Sequence, residues 1–236
     1  MTTRPWFYYF GNWFLRNAFR ILMRMDLRGL ENVPHTGALV IAISHSSFWD
    51  PLFAGAYIAR DVVPMAKSEV FKWFIIGWIV KWYGAFPVRR GQVDTSAFKT
   101  ALRILQNGEC IIIAPEGHRS ETGELQRGRE GAIMLSLRSG AAILPVAVWG
   151  GKPFWKNIIR LRRTEIKMYV GEPVLPMVTG TKPTRQSIAA MSDELMLRIA
   201  AMMPPEMHGY YANHAPASAP HLQPYRAATM PAPAEN

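Results

Sequence analysis

The sequence holds a histidine and an aspartate, His45 and Asp50, a few residues after the apolar run 38–43. Imidazole is the side chain best suited to accept a proton near neutral pH. A carboxylate five positions later can accept the other ring N–H and select the tautomer of the histidine. The pair therefore predicts a general base with an orienting partner, able to activate a hydroxyl. The sequence has no G-x-S-x-G segment, so no serine is predicted to act as a covalent nucleophile in such an elbow.

Two later apolar segments also end in polar loops that contain arginine. A guanidinium group can meet two phosphate oxygens at once, so these loops predict a site for a phosphorylated ligand, with solvated loops as the alternative. Gly117 permits a tight turn. Glu116 is a candidate to hold an arginine in place or to bind a substrate hydroxyl. The candidate ligand-binding residues of the two loops are Arg89, Arg90, Glu116, Gly117, Arg119 and Ser120.

Apolar segments of strand length alternate with segments of helical pattern, which predicts a single α/β domain with helices on both faces of a largely parallel, mixed sheet. In such folds, ligands bind at the carboxyl ends of the strands, where the polar motifs lie. The predicted strands are Leu39–Ile43, Val62–Ala66, Ala85–Val88, Cys110–Ala114, Ile143–Val148 and Glu165–Val170. The predicted helices are Pro51–Ala59, Glu69–Trp82, Thr95–Gln106, Arg129–Arg138 and Arg185–Met202.

Composition indicates an anionic partner and a reducing compartment. The 236 residues include 27 Lys and Arg against 17 Asp and Glu, a net charge of +10. An excess of this size favours an anionic lipid, a nucleic acid or a phosphorylated substrate. The single cysteine, Cys110, cannot form an internal disulfide, and no metal-ligand spacing of Cys or His is present. We therefore expect neither a metal nor a cofactor.

The chain divides into three predicted parts. Residues 1–25 are aromatic and carry arginines at 16, 20 and 24, which is typical of an amphipathic helix that lies in the headgroup plane of a membrane. The alternative is a helix that packs on the protein's own core. Residues 26–203 form the α/β domain, and residues 204–236, rich in Pro and Ala, predict a disordered tail.

Two further segments leave alternatives open. The segment 71–83 holds eight consecutive apolar residues between two lysines, too few to span a bilayer. It favours either a helix buried against the sheet or a helix whose tryptophans enter the membrane or line an acyl tunnel. The basic run 152–163, interleaved with large apolar residues, suits a membrane surface, the phosphates of a ligand, or a solvated hairpin.

In combination and order, four blocks of this sequence resemble those of the glycerolipid acyltransferases, most closely the 1-acyl-glycerol-3-phosphate (lysophosphatidic acid) acyltransferases. The resemblance covers about residues 20–203. One departure is His118, where the common family pattern has threonine. The blocks are His45-x4-Asp50, Gly84 to Arg90, Glu116-Gly117-x-Arg119-Ser120, and Leu144-Pro145-Val146.

The resemblance implies transfer of a fatty acyl group from acyl-CoA or acyl-carrier protein to the hydroxyl of a lysophospholipid at the cytoplasmic face of the cell membrane. It implies that His45 is the general base and that Asp50 orients it. Arg90, with Arg89 as a weaker match, and the Glu116 block would bind the acceptor, and Pro145 would bind the donor or support the site. Lys67 is a further candidate for the phosphate or the developing oxyanion.

Competing interpretations come from the same residues. The His–Asp pair could activate water in a thioester or lipid hydrolase, although a hydrolase does not need two arginine loops. An acyltransferase could act on another lysolipid or alcohol. The positive charge alone fits a non-catalytic module that binds anionic lipid or nucleic acid, but no nucleic-acid-binding motif is present and the basic residues alternate with large apolar ones, so we expect no nucleic-acid partner.

Overall fold

The computed structural model describes residues 4–89, 94–178, 180, 182–215 and 220–226, without the side chains of residues 75 and 76. Arg90, a predicted ligand-binding residue, lies outside this part of the chain. The helices are α1 (Trp6–Leu22), α2 (Asp50–Tyr57), α3 (Phe74–Trp82), α4 (Thr95–Gln106), α5 (Gly131–Ser139), α6 (Phe154–Ile159) and α7 (Arg185–Ala200). The strands are β1 (Met23–Arg28), β2 (Leu39–Ile43), β3 (Val62–Val63), β4 (Met65–Lys67), β5 (Phe86–Val88), β6 (Cys110–Ile113), β7 (Ala142–Trp149), β8 (Thr164–Val170), β9 (Val174–Pro176) and β10 (Leu222–Pro224).

The predicted α/β architecture with a mixed, largely parallel sheet is confirmed. Strands of the main sheet follow the order β1-β8-β7-β2-β6-β3, with β9 beside β7 and β10 beside β9. The pairs on either side of β2 are parallel, whereas β8 and β9 run antiparallel to β7. A separate pair of parallel strands, β4 and β5, lies off this sheet. Strand β2 is buried on both faces, which explains its uninterrupted apolar sequence.

Two apolar layers cover the two faces of the main sheet. On one face, α4, α5 and α7 pack with Val40 and Ala42 of β2. On the other, α1, α2 and α6 pack with Leu39, Ile41 and Ile43. The alternation of β2 residues between the layers follows from the two-residue period of a strand. The end of β2 therefore lies between helices from both layers, where the His45 motif begins.

The predicted helix over residues 1–25 ends earlier than expected. Helix α1 stops at Leu22, and Met23–Arg28 form the edge strand β1, parallel to β8. The cause is visible in the sequence, since the segment MRMDLR alternates apolar and charged residues with the period of a strand. Tyr8 and Phe19 of α1 are buried in the domain, so the helix also belongs to the core.

The structure also differs from the expected tail and from one expected strand. Short 3-10 helices follow α7, and Tyr211 is buried, with its hydroxyl donating to Asp193 at 3.0 Å. Strand β10 pairs with β9, which adds part of the predicted tail to the sheet. The predicted strand Val62–Ala66 divides at Pro64 into β3 and β4, which join different sheets. Proline lacks the N–H that a continuous ladder would use.

Helix α3 is not the buried helix that one interpretation predicted. Trp73, just before it, and Phe74, Trp78 and Trp82 within it are exposed. Its contact with α1 includes the rings of Phe7 and Trp82, 5.5 Å apart and edge to face. No helix of the described residues combines the length and the hydrophobicity that crossing a bilayer requires.

Candidate active site

His45 follows β2 by two residues, and Asp50 is the first residue of α2. The loop between them turns back, so that Asp50 Oδ2 lies 3.5 Å from His45 Nδ1. Both side chains are buried, His45 at 5 % exposure and Asp50 at 0 %. This separation exceeds an ordinary hydrogen bond, as is common in catalytic pairs without bound substrate. A proton on Nδ1, facing Asp50, leaves Nε2 as the ring nitrogen able to accept a proton.

Backbone groups of the same loop hold the Asp50 carboxylate. Its Oδ2 accepts hydrogen bonds from the N–H groups of Ser46 at 2.7 Å and Ser47 at 2.6 Å. Burial raises the pKa of Asp50, and the nearby His45 ring and these backbone donors lower it in part. Asp50 Oδ1 lies buried near Gly151 and has no hydrogen-bond partner among the described residues. The carboxylate therefore lies at a fixed position beside the imidazole.

Residues of the loop after β6 form hydrogen bonds with the backbone of His45. Glu116 Oε1 accepts from His45 N at 2.8 Å, and Oε2 accepts from Gln126 N at 3.0 Å. Ser120 N donates to His45 O at 2.8 Å. Glu116 is 1 % exposed, and burial raises its pKa. Its carboxylate thus positions His45, and no arginine of the described residues donates to it. Glu116 also lines the larger cavity described below.

Ser120 also serves the loop itself. Its hydroxyl accepts from Gly123 N at 3.0 Å and lies 3.3 Å from the hydroxyl of Thr122, and the side chain is 5 % exposed. The structure therefore gives Ser120 a place in the turn, and its side chain lines neither of the two cavities described below.

A cavity of about 270 Å³ adjoins His45. Its polar wall includes Arg89 and Arg129, and the remaining wall is largely apolar, with residues of β2, β6 and α5 and of the start of α2. The backbone N–H of Arg89 donates to Asp94 at 2.8 Å, and such donors lower the pKa of Asp94 to about 2. A cavity of this size admits the reacting part of a lipid but not a long chain. It places two guanidinium-bearing residues and a base around one space.

Arg129 lines the cavity although no sequence motif indicates it, since the sequence pattern predicts only the start of a helix there. It precedes α5, and its N–H donates to Pro115 O at 2.8 Å. Gly117 has a φ of +79°, and a Cβ there would lie 2.8 Å from Arg129 Nε. The glycine therefore lets the guanidinium of Arg129 lie across the loop. The signal in the sequence was weak: an arginine between two glycines, at 128 and 131.

Besides Glu116 and Ser120, three further predicted ligand-binding residues do not line the cavity next to His45. Arg119 is exposed on the neighbouring loop, and Lys67, at the end of β4, pairs with Glu69 at 3.3 Å on the surface. Pro145 lies buried within β7, where the partner strand changes from β9 to β8. Its carbonyl accepts from Gly171 N at 2.9 Å, so its missing N–H points to a position without a ladder partner. Pro145 thus lies in the interior of the sheet, where the register opposite β7 shifts by one residue between the pairs Val146–Val170 and Ile143–Val174.

A second, larger cavity of about 550 Å³ lies on the other side of Arg129. His118, the position that departs from the common pattern, lines it together with Arg127, Ser192 and Asp193. His45 is not among its lining residues. Among the described residues, no cluster of three or more His, Cys, Asp or Glu side chains could hold a metal.

Comparisons of the sequence and of the fold with known proteins point to one family. The profile of the Acyltransferase family matches residues 24–149, more than half of the chain. A 1-acyl-sn-glycerol-3-phosphate acyltransferase of Bacillus subtilis (strain 168) is 32% identical over 197 residues, covering 79% of this chain and 94% of that protein. The chain belongs to the acyltransferase family. The family match runs from β1 to the end of β7 and contains all four sequence blocks.

Two more distant relatives of this acyltransferase add to the comparison. A 1-acyl-sn-glycerol-3-phosphate acyltransferase of Borreliella burgdorferi is 28% identical over 140 residues, covering 58% of this chain and 56% of that protein. The crystal structure of the 1-acyl-sn-glycerophosphate acyltransferase PlsC from Thermotoga maritima superposes with a TM-score of 0.65 at 22% identity, covering 82% of this chain and 77% of that one. The second likeness shows that the fold is shared.

Proposed function

We propose that this acyltransferase moves a fatty acyl group from an acyl thioester to the free hydroxyl of 1-acyl-glycerol-3-phosphate, which makes phosphatidic acid. The observation that carries the proposal is the cavity that joins His45 to Arg89 and Arg129. The names of the relatives support the choice of acceptor. A phosphorylated alcohol is the substrate class that needs both a base and guanidinium groups in one space.

In the proposed reaction, the acceptor hydroxyl attacks the thioester carbonyl while its proton passes to His45 Nε2. The C–S bond then breaks, and the departing thiolate takes the proton from the imidazolium. The products are the diacylated phosphate and the free thiol carrier. Asp50 keeps the proton of the neutral ring on Nδ1 and stabilises the imidazolium that forms between the two transfers. A positioned base of this kind contributes about 10²–10⁴-fold to the rate.

The arginines hold the acceptor phosphate in this proposal. Arg89 and Arg129 approach the cavity from different elements, the end of β5 and the start of α5. Arg90 follows Arg89 directly and is proposed to contribute a further contact, although it lies outside the described residues. The apolar wall near Ile43, Ile112 and Met65 suits the hydrocarbon part of the donor or acceptor next to the reacting carbonyl.

We further propose that the enzyme works as a peripheral protein at the cytoplasmic face of the cell membrane. Helix α1 buries Tyr8 and Phe19 and leaves aromatic side chains on its other face at the surface, among them Trp6, Phe10 and Trp13. Large exposed aromatic surfaces of this kind mark interaction sites, and neighbouring arginines favour anionic lipid. The interpretation of α1 as a purely internal helix does not account for this exposed face.

The proposed activity is tested with the purified full chain and 1-acyl-glycerol-3-phosphate in detergent micelles. The donor is either acyl-CoA or the acyl thioester of acyl-carrier protein, each with a radiolabelled acyl group. We expect labelled phosphatidic acid to form. We expect His45→Ala to lower kcat by at least about 100-fold while its Tm stays at the wild-type value. Release of free fatty acid at the same rate with and without acceptor would instead identify a hydrolase. Preference for another lysolipid in an acceptor panel would reassign the acceptor, and the two donor arms decide the carrier.

The proposed reaction uses only side chains of the protein and its two substrates. We therefore expect the rate to be retained after dialysis against EDTA, with an untreated sample as the control. Loss of activity that Mg²⁺ or Zn²⁺ restores would contradict a mechanism without a metal.

A further inference from the structure

The segment 154–163, called here the α6 turn, consists of α6 and the four residues before β8. It places three large apolar side chains at the surface: Trp155 is 63 % exposed, Ile159 82 % and Leu161 96 %. Scattered exposed apolar residues are ordinary, but three such side chains within seven residues form a local apolar surface. Nothing in the proposed chemistry at His45 uses it.

The backbone of the α6 turn is held in an unfavourable conformation at its most exposed residue. Leu161 has a φ of +52°, the only positive φ among the non-glycine residues that the structure describes. A γ-branched side chain in the left-handed region is uncommon and costs free energy, and glycine would avoid that cost. The conformation ends α6, since Leu161 N donates to Ile158 O at 2.9 Å and Arg162 N donates to Asn157 O, as in a helix C-cap where glycine is usual. The cap does not use the exposed leucine side chain, which is therefore free to contact something outside the domain.

The turn is also built firmly and not as a loose loop. Arg162 N donates to Asn157 O at 2.8 Å, and the Asn157 side chain donates to Thr164 at 3.1 Å. Arg163 donates to Met23 O at 2.6 Å and also to Arg20 O, at the carboxyl end of α1. These bonds attach the α6 turn to the end of the helix whose exposed aromatic face is proposed to lie on the membrane.

Three cationic residues accompany the apolar ones. Lys156, Arg160 and Arg162 are exposed, and none of them takes part in an ion pair within the described part of the chain. Apolar side chains that enter a hydrocarbon layer while flanking cations meet its headgroups are typical of interfacial segments. The combination complements an anionic lipid surface better than an acidic protein surface, which would leave Leu161 and Ile159 without an apolar environment.

The α6 turn lies next to the catalytic loop. The Trp49 ring lies 4.4 Å from that of Phe154 and 5.5 Å from that of Trp155, measured between centroids. Phe48 is exposed between His45 and Asp50. A lipid surface that touches the α6 turn would therefore also reach the loop that carries the general base.

We propose that the α6 turn is a second membrane contact, which inserts Leu161, Ile159 and Trp155 into an anionic bilayer beside the His45 loop. It deepens the proposed membrane location and does not depend on which lysolipid is the acceptor. Together with α1, it gives the enzyme two separate contacts, so that the entrance beside His45 faces the lipid. The insertion also accounts for a large, exposed apolar side chain at a helix-capping position where glycine is usual.

The proposal is tested by placing an environment-sensitive fluorophore at residue 161 in the full chain, through Leu161→Cys. The native Cys110 is fully buried, and burial raises its pKa to about 11, so it is a poor target for labelling. The matched control is Gln186→Cys, at an exposed position of α7 on the opposite face of the sheet. Vesicles of phosphatidylcholine with 30 % phosphatidylglycerol are expected to shift the emission of the probe at 161 to the blue and leave that at 186 unchanged.

A second measurement uses vesicle co-sedimentation of unlabelled variants. Leu161→Gly removes the side chain but suits the left-handed backbone, so it should retain or raise the Tm while lowering the partition coefficient roughly tenfold. Arg160→Gln and Arg162→Gln should each lower it about fivefold at low salt. A loss of binding without a loss of stability separates membrane contact from folding.

Specific outcomes would overturn the inference. If wild-type protein sediments with the vesicles but the probe at 161 does not respond, α1 acts alone and the α6 turn is not a membrane contact. If purified acyl-carrier protein shifts the probe at 161 and vesicles do not, the surface docks a carrier protein. If no vesicle binding occurs, both membrane proposals fail, whereas acyl transfer in detergent micelles tests the proposed reaction independently.

Discussion

Substitution of Glu116 tests whether this residue positions the base or binds the substrate. Its two carboxylate oxygens accept the N–H groups of His45 and Gln126 at 2.8 and 3.0 Å, inside the protein. Glu116→Ala leaves both backbone donors without their partner, and each orphaned buried donor costs about 1–3 kcal/mol. The loss of both therefore lowers the free energy of unfolding by roughly 2–6 kcal/mol. Burial raises the pKa of Glu116, so removing the carboxylate returns part of this cost and favours the lower half of the range.

The expected thermal effect follows from the size of the domain. A change of 1 kcal/mol shifts the Tm of a domain of 150–250 residues by about 2–4 °C, so Glu116→Ala should lower it by roughly 5–15 °C. The His45 backbone loses one of its two loop contacts, and a displacement of the base near 1 Å costs about 100-fold in rate. We therefore expect a large fall in kcat with the KM for the acceptor changed less than about threefold, as for loss of an interaction made only in the transition state.

The assay combines thermal unfolding, followed by circular dichroism, with initial rates over a range of acceptor concentrations below the Tm of the variant. Glu124→Ala is the matched control, since Glu124 is an exposed carboxylate of the same loop and should change stability by less than about 0.5 kcal/mol. The reasoning is refuted if Glu116→Ala keeps its Tm and kcat but raises the acceptor KM tenfold or more. That result would mean that Glu116 contacts the acceptor.

Three further predictions concern the His45–Asp50 pair, the cavity next to it and helix α1. Asp50→Asn should lower kcat by about 10²–10⁴-fold in steady-state assays. Burial raises the pKa of Asp50, so ionisation of the carboxyl lowers the stability of the folded protein at pH values above that raised pKa. The variant should therefore match or exceed the wild-type Tm at neutral pH and lose this advantage as the pH falls towards 4. Arg129→Ala should raise the acceptor KM about tenfold or more, whereas Arg138→Ala, a control within α5, should not; an unchanged KM would remove Arg129 from the phosphate site. Trp13→Ser should weaken sedimentation with anionic vesicles at an unchanged Tm, and it is a sharper test than removing residues 1–25, which would also delete the buried start of β1.

Local sequence determined much of the fold. The apolar run of β2, buried on both faces, and the switch from helical to two-residue periodicity at Met23 each record a local backbone preference. The His45–Asp50 motif was also readable, because five residues and one turn suffice to bring the two side chains together. The resemblance to acyltransferases, confirmed by the family match, rests on such local blocks in a particular order.

Tertiary structure decided what the remaining residues do, because their partners are distant in the sequence. Glu116 positions His45 only because the folded chain places the His45 N–H, 71 residues away, beside its carboxylate. Pro145 lies in a central strand because the partner strand changes there, which depends on the return of β8 and β9. Arg129 reaches the cavity because Gly117, twelve residues earlier in the chain, leaves room for its guanidinium. Sequence patterns thus indicate His45 as the base, and long-range packing determines which groups surround it.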